Sequence, residues 1–212
     1  MIILKTMIVI SLTKDNYMNI NRYLAEITLI GAEDFDEFFN NALKEVFSSS
    51  YMNKIDTILK RIEIKPYSKA SEKVVAYVNS GNNKNIFVNR YYFDDLPKDR
   101  KVEFLLHEFF HILQQTKSFI FFRRFKDLIE LDERLEREIP RYLNAPMSEF
   151  LTGQKNKKIS TRLEVLPYIV GTRTADWSCI SKEGKKYIKD VLTSSGLFNI
   201  NSKYFKDIFE TY

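Results

Sequence analysis

Apolar positions recur along this chain with two periods, and the period changes from stretch to stretch. From Glu33 onwards Phe35, Phe38, Phe39, Ala42, Leu43, Val46 and Phe47 fall at the three- and four-residue spacings of one helical stripe. Glu33 and Asp34 stand at its start, where the helix dipole favours acids. Ahead of it, the apolar run Met1 to Ile10 and the β-type stretch Tyr23 to Ile30, closed by Gly31, read as strands. Arg61-Ile62-Glu63-Ile64-Lys65 alternates with a period of two and stops at Pro66. Val74 to Val78 and Asn85 to Phe93 flank the turn residues Asn79-Ser80-Gly81-Asn82-Asn83, so the spacing predicts a hairpin.

The second half reads as helical. Asp95 can cap a helix with Pro97 in its first turn, running to about Thr116. More helix is expected from Lys117 to Glu138, ended by Ile139-Pro140, with Phe119 to Phe122 as core or a helix-packing face. After a loop holding Gly153 to Lys158, a helix is expected from about Thr161 to beyond Ile169, kinked or begun at Pro167. Two shorter helices follow, near Lys182 to Leu192 and Lys203 to Phe209. The expected fold is α+β: residues 1–97 form mainly a small mixed sheet plus one helix, and residues 98–212 are mainly helical. Neither a repeat nor a Pro/Gly-rich linker divides the chain, so a single domain over residues 1–212 is expected.

Composition narrows the function classes. Aromatic residues at 14% supply a large core, and few Gly and Pro argue against disorder. The net charge of +5 is spread among interleaved acids and bases, without the clustered stripe of a nucleic-acid binder. No apolar run is long enough to span a bilayer, and Lys5 interrupts the N-terminal one before any cleavage signal. With one cysteine, Cys179, no internal disulfide can form. A cytoplasmic location is expected, or a virion-associated one if the gene belongs to a phage.

The chain has two histidines, and both fall in His107-Glu108-Phe109-Phe110-His111. Four residues apart on a helix, His107 and His111 share one face and can take two corners of a zinc tetrahedron. Glu108 is turned aside from the metal yet near enough to hold a water beside it, as a general base must be. The flanking pairs Leu105-Leu106 and Ile112-Leu113 make the helix apolar, where unpaired polar groups are costly.

Two imidazoles and a water leave the coordination incomplete, so a third ligand is required, and with no histidine left it should be a carboxylate. Glu164 is the first choice, because it interrupts the otherwise apolar run from Leu163 to Val170 and must be neutralised there. Glu149, the acids Glu130, Glu133, Glu136 and Glu138, and more distantly Cys179 stay open as alternatives. An oxyanion formed during hydrolysis needs a donor besides the metal. Tyr168, on the same expected helical face as Glu164, is the candidate.

The stretch Leu105 to Gln115 resembles the active-site helix of the zincin metallopeptidases, and Arg162 to Gly171 is similar to the second active-site helix of the gluzincin branch. The resemblance covers roughly Arg61 to Gly171. It implies a zincin-like fold, a Zn2+ cofactor held by His107, His111 and Glu164, and hydrolysis of peptide bonds with Glu108 as base. It also implies that an edge strand, here Asn85 to Tyr92, binds extended peptide by strand addition. The chain departs from the gluzincin pattern in carrying Tyr168 four residues after Glu164, where an Asp would orient a ligand histidine; Asp176 is the candidate for that role. A second reading is a non-enzymatic zincin-fold protein that acts as a structural or partner-binding component of an assembly such as a phage particle.

Overall fold

The computed structural model describes residues 27–79, 84–116 and 125–210. The expected strand at Met1 to Ile10, the turn at 80–83 and the run Phe119 to Phe122 lie outside these residues. Four strands, β1 (Thr28–Ile30), β2 (Arg61–Tyr67), β3 (Ala76–Tyr77) and β4 (Asn85–Asn89), form one mixed sheet in the order β1-β2-β4-β3. β1 and β4 run parallel to β2, and β3 pairs antiparallel with β4 through Ala76–Val88 and Tyr77–Phe87. On β2 the alternation has its expected effect: Ile62 and Ile64 are buried while Glu63 turns outward.

The parallel pair β1–β2 needs a crossover, and two helices supply it: α1 (Asp36–Val46), entered through a 3-10 turn at Glu33–Phe35, and α2 (Ser49–Ile58). The stripe read from the sequence buries Phe39, Leu43 and Val46, whereas Phe38 stays exposed. The second helix has no counterpart in the sequence reading. Its signals are the Ser48 cap, whose hydroxyl accepts the Tyr51 N–H, and the buried positions Tyr51, Met52 and Ile55.

The hairpin forms with shorter arms than expected. β4 ends at Asn89, whose side chain accepts the Tyr91 N–H and caps a helical turn, α3 (Arg90–Phe93). β4 lies between β2 and β3, so the expected edge strand Asn85 to Tyr92 is interior, and among the described residues β3 is the edge on that side and β1 on the other. A second shift affects the motif helix. The residue before a proline is disfavoured in helical geometry, and α4 (Lys98–Gln115) accordingly begins after Pro97 and not at Asp95.

The remaining elements are α5 (Lys126–Glu138), a 3-10 turn at Ile139–Tyr142, α6 (Met147–Thr152), a π-helix at Pro167–Gly171, a 3-10 turn at Trp177–Cys179, α7 (Lys182–Ser195) and α8 (Lys203–Glu210). The α-helix of α5 ends at Glu138, just ahead of Pro140, as the proline requires. The helix expected from Thr161 forms only from Val165, because Leu163 adopts a left-handed backbone (φ 61°). Glu164 therefore stands at the mouth of a helix and not inside one.

The core joins both halves. Phe47 stacks on Phe198 with ring centroids 5.8 Å apart and also meets Phe110 and Phe109, while Phe39 meets Phe109 edge-on at 5.6 Å. These rings lock α4 between the crossover helices and the C-terminal segment, and each buried aromatic of this kind contributes a few kcal/mol. On its other side α4 meets the π-helix at contact distance. A Cβ on Gly171 would lie 2.8 Å from Cα and 2.9 Å from N of His107. The π-helix end is also tied down by Tyr204, whose hydroxyl donates to the carbonyls of Val170 and Gly171.

A Gly171→Ala substitution is expected to lower unfolding stability by about 1–3 kcal/mol through this overpacking, measured by denaturant titration. The same variant should weaken metal binding, because the displaced backbone is that of His107.

Candidate metal centre

Helix α4 presents His107, Glu108 and His111 towards the segment that carries Glu164. His107 Nε2 lies 3.3 Å from His111 Nε2 and 3.4 Å from Glu164 Oε2, and His111 Nε2 lies 3.4 Å from Glu164 Oε1. These three residues are a group able to hold a metal ion with one atom each. Ligands at the usual zinc distances on a tetrahedron are about 3.3 Å apart. The donor set therefore fits a tetrahedral ion in spacing and in chemistry: two imidazole nitrogens and one carboxylate.

The position of Glu164 follows from its neighbours. Asp132 on α5 is wholly buried, and its carboxylate accepts the Val165 N–H at 3.1 Å, capping the helical turn that begins just after Glu164. The other carboxylate oxygen of Asp132 accepts the Gln114 side-chain amide at 2.6 Å. The Gln114 carbonyl in turn faces His111 Nδ1 at 3.1 Å. A carbonyl can only accept, so His111 carries a proton on Nδ1, which leaves Nε2, facing Glu164 and His107, as the nitrogen that can give up its proton to an ion. His107 is held differently. Its Nδ1 is buried without a partner among the described residues, and its ring rests edge-on against Tyr168 at 4.8 Å.

The electrostatics belong to one coupled cluster. Burial would by itself raise the Glu164 carboxyl, but hydrogen bonds from His107 and His111 and their charge hold it at about 2. Burial would likewise depress the His111 imidazolium, yet Glu164, Glu108 and Gln114 together lift it to about 9. Burial pushes Glu108 above the ordinary carboxylate range, against the pull of both histidines, while Glu164 pushes it the same way and a Val78 backbone bond opposes it. Asp132 is raised to about 7, chiefly by burial, although the Leu166 and Val165 amides favour its charge. Tyr168 is pushed up to about 12, first by burial and then by Glu164 and Glu108, so its hydroxyl stays a donor at neutral pH.

His107, Glu108 and Tyr168 open on a cleft of about 460 Å³ that runs beside the β3 edge. All five site residues expected from the sequence thus belong to one site. The alternatives do not join it. Glu130 pairs with Lys126, Glu138 with Arg137 and Arg141, Glu136 accepts from Thr161, Glu133 is exposed, and Glu149 lies in the first turn of α6. Cys179 is buried away from the cluster. Asp176 accepts from Ser178 and caps the 3-10 turn at Trp177–Cys179, so it does not orient a ligand. Gln114 and Asp132, to which the sequence reading gave no such role, orient His111 instead.

Searches against protein families, curated proteins and solved structures find no match to this chain.

Two outcomes are expected. In Asp132→Asn the new amide would face the Gln114 amide, donor to donor; Gln114 then turns its amide to His111 Nδ1 and drives the His111 proton to Nε2. Zinc affinity should fall about 10–100-fold in competition with a chromophoric chelator, while circular dichroism stays native. The second concerns pH. An ion must displace the proton that His111 holds up to about 9, so apparent zinc affinity should climb steadily from neutral pH and flatten above that value. The metal-free fold should show the opposite trend. The folded His111 pKa exceeds its unfolded value of about 6.5, so its stabilising contribution is complete below that value and is lost as pH rises through about 9.

Proposed function

We propose that this protein is a zinc-dependent peptidase with a zincin-like, gluzincin-type site. The observation that carries the reading is the triangle of His107, His111 and Glu164, with buried Glu108 beside it and an open cleft in front. His107 and His111 through Nε2, and Glu164 through its carboxylate, hold the ion. Zinc, when bound, supplies a Lewis acid that lowers the pKa of water and polarises the substrate carbonyl.

The remaining chemistry is done by side chains. Glu108 is a stronger base than a solvated glutamate, since burial raises its pKa. It takes a proton from water as the water oxygen attacks the carbonyl carbon. The same proton passes to the amide nitrogen as the C–N bond breaks, leaving Glu108 ionised for the next turnover. Tyr168, protonated at neutral pH, donates to the developing oxyanion. The substrate lies extended along β3, which borders the cleft at Ala76, with Val74 and Val75 just ahead of it in the same wall, and binds by strand addition.

The decisive experiment compares metal content with turnover on a broad peptide library. His107→Ala should lose about one equivalent of zinc. Glu108→Gln should keep the zinc and lose about 10²–10⁴-fold in kcat/KM, and Tyr168→Phe should lose about 10²–10³-fold in kcat. A wild-type chain that takes up no zinc overturns the reading. Zinc uptake with wild type and Glu108→Gln indistinguishable would instead favour a structural component of an assembly.

A further inference from the structure

The walls of the cleft carry charge of one sign. Lys73, just ahead of β3, stands on one side; Lys157, in the loop after α6, lines the same cleft, as does Arg100, two turns before His107 on α4. Among the described residues the only carboxylate in the lining is Glu108, which belongs to the reacting centre. Lys73 and Lys157 are exposed, and among the described residues neither pairs with an acid. Arg100 is held in place: it donates to Glu103 and, at 3.3 Å, to the Thr172 carbonyl. Glu103 does not cancel it, because the same buried carboxylate also takes the guanidinium of Arg173. Two arginines share Glu103, and Asp207 acts on Arg173 as well, so the charge that lines the cleft at this corner is the Arg100 guanidinium's. The other polar lining groups, Thr152, Gln154, Thr172 and Thr174, are neutral.

A cleft with low-dielectric walls focuses such a field, and like-charged ligands are excluded by it as acidic ones are drawn in. We propose that the cleft selects extended peptides bearing an acidic side chain next to the bond at the metal centre, with Lys73, Arg100 and Lys157 as the specificity-determining residues. The proposal rests on the peptidase reading for the placement of the bond, but its charge preference is a property of binding.

The test therefore reads binding. Zinc-supplied full-length protein carrying Glu108→Gln is titrated, by fluorescence anisotropy, into labelled alanine-rich peptides that differ at one position: glutamate, glutamine or lysine. The glutamate peptide should bind about tenfold tighter than the glutamine peptide, and the lysine peptide more weakly than both, with the differences collapsing near 1 M salt. Adding Lys73→Glu and Lys157→Glu should reverse the order. Adding Lys182→Glu and Lys186→Glu, exposed residues of α7 outside the cleft, makes the same change in net charge and should preserve it. Equal affinities, undetectable binding, or an order abolished equally by both pairs overturns the proposal. The expected order with no cleavage by zinc-loaded wild type would overturn the peptidase reading alone. Cleavage without a charge preference would overturn this inference alone.

Discussion

The arrangement turns on one buried carboxylate. Asp132 receives hydrogen bonds from the Gln114 side chain on α4 and from the backbone at the start of the turn after Glu164. A carboxyl inside an apolar core is costly unless donors surround it, and here those donors come from two segments distant in sequence. Satisfying Asp132 therefore forces the Glu164 segment into register with α4. The same bond fixes the Gln114 amide, and so the proton of His111. One desolvated group sets both the spacing of the candidate ligands and the Nδ1 proton of one of them.

Packing supplies the complementary constraint on His107. Gly171 lets the π-helix backbone reach the His107 backbone at a distance closed to any side chain, and Tyr168 on the same short helix covers the imidazole. A π-turn carries an extra residue in each turn, which is tolerated where it serves local geometry. Here it begins at Pro167, which has no N–H to contribute, and its last carbonyls are taken up by Tyr204 from α8. His111 is thus oriented by hydrogen bonds and His107 by contact.

The centre was more legible in the sequence than its supports. His107, Glu108 and His111 declare themselves by helical spacing alone, and Glu164 by being one acid in an apolar run. Asp132 was hidden because α5 is dense in charge and reads as a solvated face. Its spacing to Leu128 and Leu135 nevertheless puts it on the buried stripe of that helix, which was the available signal. The edge-strand assignment failed for a different reason. Periodicity identifies a strand but not its neighbours, and only the pairing of Ile64 with Ile86 makes β4 interior. The late start of the helix at Val165 depends on the left-handed backbone of Leu163, which no propensity announces.

The two histidines of this chain both lie in the cluster, and its one tryptophan does not. Trp177 packs between Phe150 and Phe209, in the helical part of the core. Imidazole resonances are therefore a private signal of the centre, and indole fluorescence a private signal of the surrounding fold. Damage confined to the histidine cluster and collapse of the whole protein can be told apart in the unmodified chain, with no label introduced.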